Sequence, residues 1–239
     1  MASAPSDLGT QPNAPAIEAV DPPARAGLTQ RWFDRSSITA DLMVAIEDVS
    51  EEDWWEFAPE GQVCEYLDGV VYMPSPATNE HQDETGFWFD LLNGFRYARA
   101  RDVVVRLGPG VLRLATGRNP EPDVFVVPSV VQPGDPPALL VIEVLSRSTR
   151  KHDLVRKRDY FQEAALPEIV YVDMENKQLI VHRLMGGGYS TQTLMTGVWH
   201  SAALPGFWVD VSWLWAYDQM DPRECLALIL AGPPAEPVP

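Results

Sequence analysis

"LLVIEVLSRST", residues 139–149, is a run of strand-forming apolar side chains with a carboxylate, Glu143, in its middle. Side chains alternate across a strand, so Leu139, Val141, Glu143 and Leu145 share one face while Leu140, Ile142 and Val144 share the other. Glu143 therefore sits among hydrophobes. An isolated ionised carboxylate there costs several kcal/mol or shifts its pKa, so a cation, a metal or a hydrogen-bond network has to compensate it.

Working outward, "EPDVFVV" (residues 121–127) reads as a second strand, with Asp123 and Phe125 on one face and Val124 and Val126 on the other. The link to residue 139 is too short for a helical crossover, so the two strands are expected to be antiparallel neighbours with Asp123 and Glu143 side by side. After the strand, a polar turn leads into "DLVRKRDYFQEAAL", a helix stopped at Pro167. Its apolar stripe is Leu154, Phe161 and Ala165. Lys157 falls on that stripe and points toward the sheet, which makes it the candidate cation.

Elsewhere, "SITADLMVAIEDVSEEDWWEFA" predicts one or two short helices. "QVCEYLDGVVYMPSP" predicts a hairpin about Asp68-Gly69, with Glu65 on its first strand. "NEHQDETGFWFDLLNGFRYARA" reads as an amphipathic helix, and "DVVVRLGPGVLRLA" as two strands about a Gly-Pro-Gly turn. "EIVYVDMENKQLIVHRL" is a further hairpin that "YSTQTLM" extends, and "LPGFWVDVSWLWAY" closes the core. Residues 1–30, rich in Pro and Ala, are expected to form a flexible tail, 31–218 a single domain, and 219–239 a C-terminal segment ending in a Pro-rich tail.

The 239 residues are 46% hydrophobic and 10% aromatic, ample for one core. No apolar run reaches membrane-span length, and the N-terminus lacks a basic start and an apolar stretch, so a soluble, cytoplasmic protein is expected. Two isolated cysteines, Cys64 and Cys225, give neither a zinc site nor a disulfide framework. A net charge of -16 argues against broad attraction to nucleic acid or anionic membrane. Locally the sign reverses. In "RSTRKHDLVRKR" (residues 147–158), Arg147, Arg150, Lys151, Arg156, Lys157 and Arg158 face one acid, Asp153. That cluster is either a solvated helix face or a grip on phosphates.

The polar residues that break apolar patterns are thus Glu65, Asp123, Glu143 and Lys157. Two carboxylates from adjacent strands form a hard oxygen site that suits Mg²⁺ or Mn²⁺. A lysine beside it, outside the ligand set, can orient water and stabilise charge on a phosphate in transit. These are the parts of a phosphodiester hydrolase, with no organic cofactor expected.

Pro122-Asp123 followed twenty positions later by Glu143-Val144-Leu145 resembles the PD-(D/E)XK nuclease superfamily, and the surrounding text is similar to its bacterial "putative restriction endonuclease" family. The likeness spans residues 38–216 and includes "EYLDGVVYMPSP", "EPDVFVV", "LLVIEVLSRSTRKHDLVRKRDYF", "PEIVYVD" and "LPGFWVDV". It implies an α/β (α+β) restriction-endonuclease-like fold, a mixed central sheet flanked by helices. It further implies a metal at Asp123 and Glu143 with the Val144 main-chain carbonyl, an electrostatic role for Lys157 and an ancillary acid at Glu65. Leu145 stands where the superfamily's lysine normally does; the lysine of the "DLxxK" pattern, Lys157, takes its place. A homodimer, the arrangement that cuts both strands, is the expected assembly.

Each residue also has a plainer reading. Asp123 can open a strand as a turn residue, Glu65 can be a surface acid, and Glu143 with Lys157 can be a structural ion pair in a catalytically silent binding module. His81, in the polar "TNEHQDE", either approaches the site or solvates a helix end. His152 shows no nucleophile to pair with, and His182, His200 and the tryptophans read as packing residues.

Overall fold

The computed structural model describes residues 43–59, 61–100 and 102–234, all within the unit Arg35–Pro239. The expected tail over residues 1–30 lies outside them. In chain order the first elements are β1 (Val44–Ile46), α1 (Glu51–Phe57), β2 (Glu65–Leu67), β3 (Val70–Met73), α2 (Asn79–Ala98), β4 (Val103–Leu107), β5 (Arg118–Asn119), β6 (Val124–Pro128) and β7 (Leu140–Val144). A π-helical turn (His152–Lys157) then runs into α3 (Arg158–Glu163). β8 (Glu168–Asp173), β9 (Gln178–Met185), β10 (Gly188–Leu194), β11 (Val198–His200), β12 (Trp208–Asp210), α4 (Val211–Leu214) and α5 (Pro222–Ala231) complete the chain.

The central sheet has the order β10-β9-β8-β7-β6-β4, parallel only between β7 and β8. Parallel neighbours need a crossover, which the π-turn and α3 supply. β7 and β8 are buried along their whole length. That is why they read as near-continuous apolar runs rather than as an alternation.

One sheet face, with Leu140, Ile142 and Val144, packs on α2, α4 and α5; the other, with Phe125, Val141 and Leu145, packs on Phe161 of α3. A smaller sheet, β1-β3-β2-β5, carries Glu65 on β2.

Two expectations need correction. In the segment expected to hold one or two short helices, the described residues give one helix, Glu51–Phe57, capped by Ser50, while residues 44–46 form a strand that pairs with β3. Here pairing with a hairpin edge outweighs helical spacing. The second strand expected after Gly-Pro-Gly is also absent. The Gly108 amide is tied to the Asp123 carbonyl, and Leu112 and Leu114 donate to Pro120 and Arg118, so the chain turns away from β4. Past residue 218, α5 packs on α2 with Cys225 buried and Leu226 over Gly94.

Candidate active site

The β6–β7 ladder runs from Val126↔Leu140 to Val124↔Ile142 and stops there, because Pro122, close to the next position, has no amide hydrogen to give. Carboxylates take over. Glu143 Oε2 accepts from the Asp123 amide at 3.3 Å, and Asp123 Oδ2 accepts from the Val144 amide at 2.7 Å. The two acids therefore lie together at the strand ends, each holding the other's backbone.

Lys157 comes to Glu143 from the π-turn. There the Arg158 amide donates to the Asp153 carbonyl, a widened turn of a kind found often at functional positions. It sends His152, Asp153 and Lys157 inward together. Lys157 Nζ lies 2.6 Å from Glu143 Oε1, 2.8 Å from Glu65 Oε1 and 3.4 Å from Asp153 Oδ1. His152 Nε2 is 2.9 Å from Glu65 Oε2. None of these five side chains belongs to an exposed residue; the most accessible, His152, is 7% exposed.

Three carboxylates around one ammonium set the charge states. Burial alone would lower the Lys157 pKa, but Glu143, Glu65 and Asp153 raise it well above the usual lysine range. It is a fixed cation and not a base. Burial would likewise raise Glu65, yet the Lys157 charge and the His152 hydrogen bond bring it down to about 2. Burial, opposed by the Lys157 charge and reinforced by the neighbouring carboxylates, pushes Glu143 well up and Asp153 up as well. Three carboxyls thus share one ammonium, and those of Glu143 and Asp153 hold their protons more tightly than free acids do.

His81, at the start of α2, completes the mouth. Its Nε2 lies 2.9 Å from the Val144 carbonyl oxygen and 3.3 Å from Asp123 Oδ2. Burial would lower its pKa; the Asp123 hydrogen bond and charge, with the Val144 carbonyl, raise it instead. The helix-end reading of His81 is thus incomplete.

Glu168 and Asp173, also buried, are structural. Glu168 is satisfied by Arg183, Ser201 and the Ala202 and Ala203 amides, and Asp173 by Arg150 and Asn176.

The basic cluster divides. Arg147 pairs with Glu175, Arg150 with buried Asp173, and Arg158 with Asp159. Arg156 is exposed and stacks on the Tyr72 ring at 4.6 Å, and Lys151 is exposed with no ion pair among the described residues. A groove of about 530 Å³ carries Arg106, Arg113 and Phe125, and starts beside Gly108, whose amide is bonded to Asp123.

The donors fit a hard divalent ion in kind. Asp123 Oδ2 and the Val144 carbonyl oxygen both approach a single nitrogen, and the Asp123 side chain is 24% exposed, open to an entering ion. Among the described residues no three imidazole, thiolate or carboxylate side chains form a metal cage by themselves.

A family model described as "Putative restriction endonuclease", Uma2, matches residues 50–212, more than half of the chain. The chain belongs to the Uma2 family. This Uma2 chain is also similar to a solved structure from Anabaena variabilis ATCC 29413, described as a "putative nuclease belonging to DUF820". The TM-score is 0.59 and the identity 12%, over 71% of this chain and 98% of that one. At that identity the likeness speaks for the fold. No curated protein matches the sequence. Together these findings bear out the restriction-endonuclease-like PD-(D/E)XK assignment read from "EPDVFVV" and "LLVIEVL". Among the described residues no helix is long and apolar enough to cross a membrane.

Sequence reasoning missed Asp153 and His152 as members of the Uma2 cluster. The signal was present: His152-Asp153 and Lys157, four and five positions on, share a face once the turn is widened.

Proposed function

We propose that this Uma2 chain is a metal-dependent endonuclease that hydrolyses DNA phosphodiester bonds, with Mg²⁺ or Mn²⁺ held by Asp123, Glu143 and the Val144 carbonyl. The observation that carries this reading is the buried Lys157 ammonium 2.6 Å from Glu143, beside an Asp123 bonded to the Val144 amide. A bound dication would supply Lewis-acid activation of the phosphate and a lowered pKa for water. The chain's residues do the rest. Asp123 and Glu143 fix the strand ends against each other. Lys157, protonated throughout, stabilises negative charge growing on the phosphate, and Glu65 with His152 keeps that ammonium in place. Arg156, Lys151 and the Arg106–Arg113 groove offer positive contacts for the DNA backbone on an otherwise acidic molecule. The substrate is then cytoplasmic DNA, and a homodimer brings two sites to the two strands.

A second reading, a silent nuclease fold used as a binding module, draws on the saturation of Lys157 by three carboxylates. Glu143→Gln separates them. With Mn²⁺ and plasmid, single-stranded and branched DNA, the enzyme reading predicts cleavage by the wild type and none by the variant, with melting unchanged. A wild type that cuts none of these and binds no divalent ion overturns it.

A further inference from the structure

The geometry points to His81 as a protein ligand of the divalent ion through Nε2, making the site a mixed nitrogen–oxygen one that prefers Mn²⁺ to Mg²⁺. This rests on the metal-dependent reading above and adds to it a ligand and an ion preference.

His81 is held in place by its own backbone. Its amide donates to Thr78 Oγ1, the cap of α2, and its carbonyl accepts from Thr85 Oγ1 at 2.7 Å. From that fixed first turn the imidazole reaches over to the strand ends, where Nε2 is shared between the Val144 carbonyl oxygen and Asp123 Oδ2. These two oxygens come from different strands and are themselves the expected metal donors. A nitrogen that contacts both already stands in the donor set. When an ion replaces the Nε2 proton, the lone pair faces the centre that these oxygens share. The proton then belongs on Nδ1, which is buried and without a partner among the described residues.

The choice of ion follows from the donor type. Both ions take oxygen donors, but Mg²⁺ is the harder and keeps its waters, whereas Mn²⁺ belongs to the first-row series that also accepts nitrogen, so a histidine at this position raises Mn²⁺ affinity more than Mg²⁺ affinity.

The test uses the full chain. Mn²⁺ and Mg²⁺ are titrated calorimetrically into wild type, His81→Ala and His81→Gln, and Mn²⁺-loaded wild type is examined by pulsed electron paramagnetic resonance for coupling to nitrogen. The expected result is nitrogen coupling in the wild type, a fall in Mn²⁺ affinity of about tenfold or more in both variants, and a change of less than about threefold for Mg²⁺. Mn²⁺ bound without nitrogen coupling would overturn the inference while leaving the metal site standing, and that spectrum decides even if a variant fails to fold. Mn²⁺ affinity unchanged in folded variants would overturn it too. Absence of any divalent binding by the wild type would remove this inference and the metal-dependent reading together.

Discussion

Lys157 Nζ lies 2.8 Å from Glu65 Oε1, joining the π-turn after β7 to the hairpin of the smaller sheet. The contact is one of several between this crossover and the smaller sheet, alongside His152 on Glu65 and Arg156 on the Tyr72 ring. Lys157→Met leaves Glu65, Glu143 and Asp153 facing one another without their cation, and breaking a buried pair of this kind costs about 3–5 kcal/mol. Urea denaturation should show that loss, and Glu143→Gln in the same chain should recover part of it, since one of three mutually repelling acids is then neutral.

Glu84 gives the protein a pH dependence. It is fully buried, and burial raises its pKa from 4.5 to about 8, against the opposing Trp88 contact. Between those values the folded chain holds a proton that the unfolded chain has released, so this group's contribution to stability falls as pH rises through that window. Glu84→Gln should flatten the profile and stabilise the protein at about pH 8, as read by urea midpoints across the range. A variant with the same slope as the wild type would contradict the assignment.

Fold and site were legible in the sequence to different degrees. The central strands were readable because strands buried on both faces are written as apolar runs, and a single acid within such a run, Glu143, marks a position that tertiary structure has to compensate. Lys157 was readable because it lies on an apolar stripe. β1 was not, since its three residues owe their conformation to pairing with β3 and not to their own pattern. The sequence leaves His81 between the site and a helix end and passes over Asp153 and His152, for a related reason. Their roles depend on where α2 meets the strand ends and on a widened helical turn, neither of which leaves a periodic trace. Glu168 and Asp173, which the sequence reading does not single out, are shown to be structural by their hydrogen-bond partners.

The basic segment should separate into two functions. Lys151→Ala and Arg156→Ala remove exposed positive charge, and each is expected to weaken DNA binding evenly across sequences and lower the salt slope by about 1, with stability unchanged. Arg150→Ala instead strips an ion-pair partner from buried Asp173 and should cost about 1–3 kcal/mol of stability. Filter or anisotropy titrations over a salt series, alongside melting curves, distinguish the two.

Gly108 sets the approach of a loop to Asp123. A Cβ there would come within 2.9 Å of the Pro122 carbonyl oxygen and 3.5 Å of the Asp123 Cα, and neither backbone atom can swing aside. Gly108→Ala should therefore shift the Asp123 strand end, lowering stability by about 1–3 kcal/mol and weakening metal binding with it. Gly134→Ala, where nothing lies within 4 Å of the added carbon but φ is +95°, serves as a control for strain remote from the site.

The central claim is that Asp123, Glu143 and Lys157 surround a working seat for a hard dication. Calorimetric titration of Mn²⁺ into the full chain and into Asp123→Asn tests it most directly. The account predicts one ion bound per chain by the wild type and none by a variant that melts normally; an ion bound equally well by Asp123→Asn, or by neither protein, would contradict it.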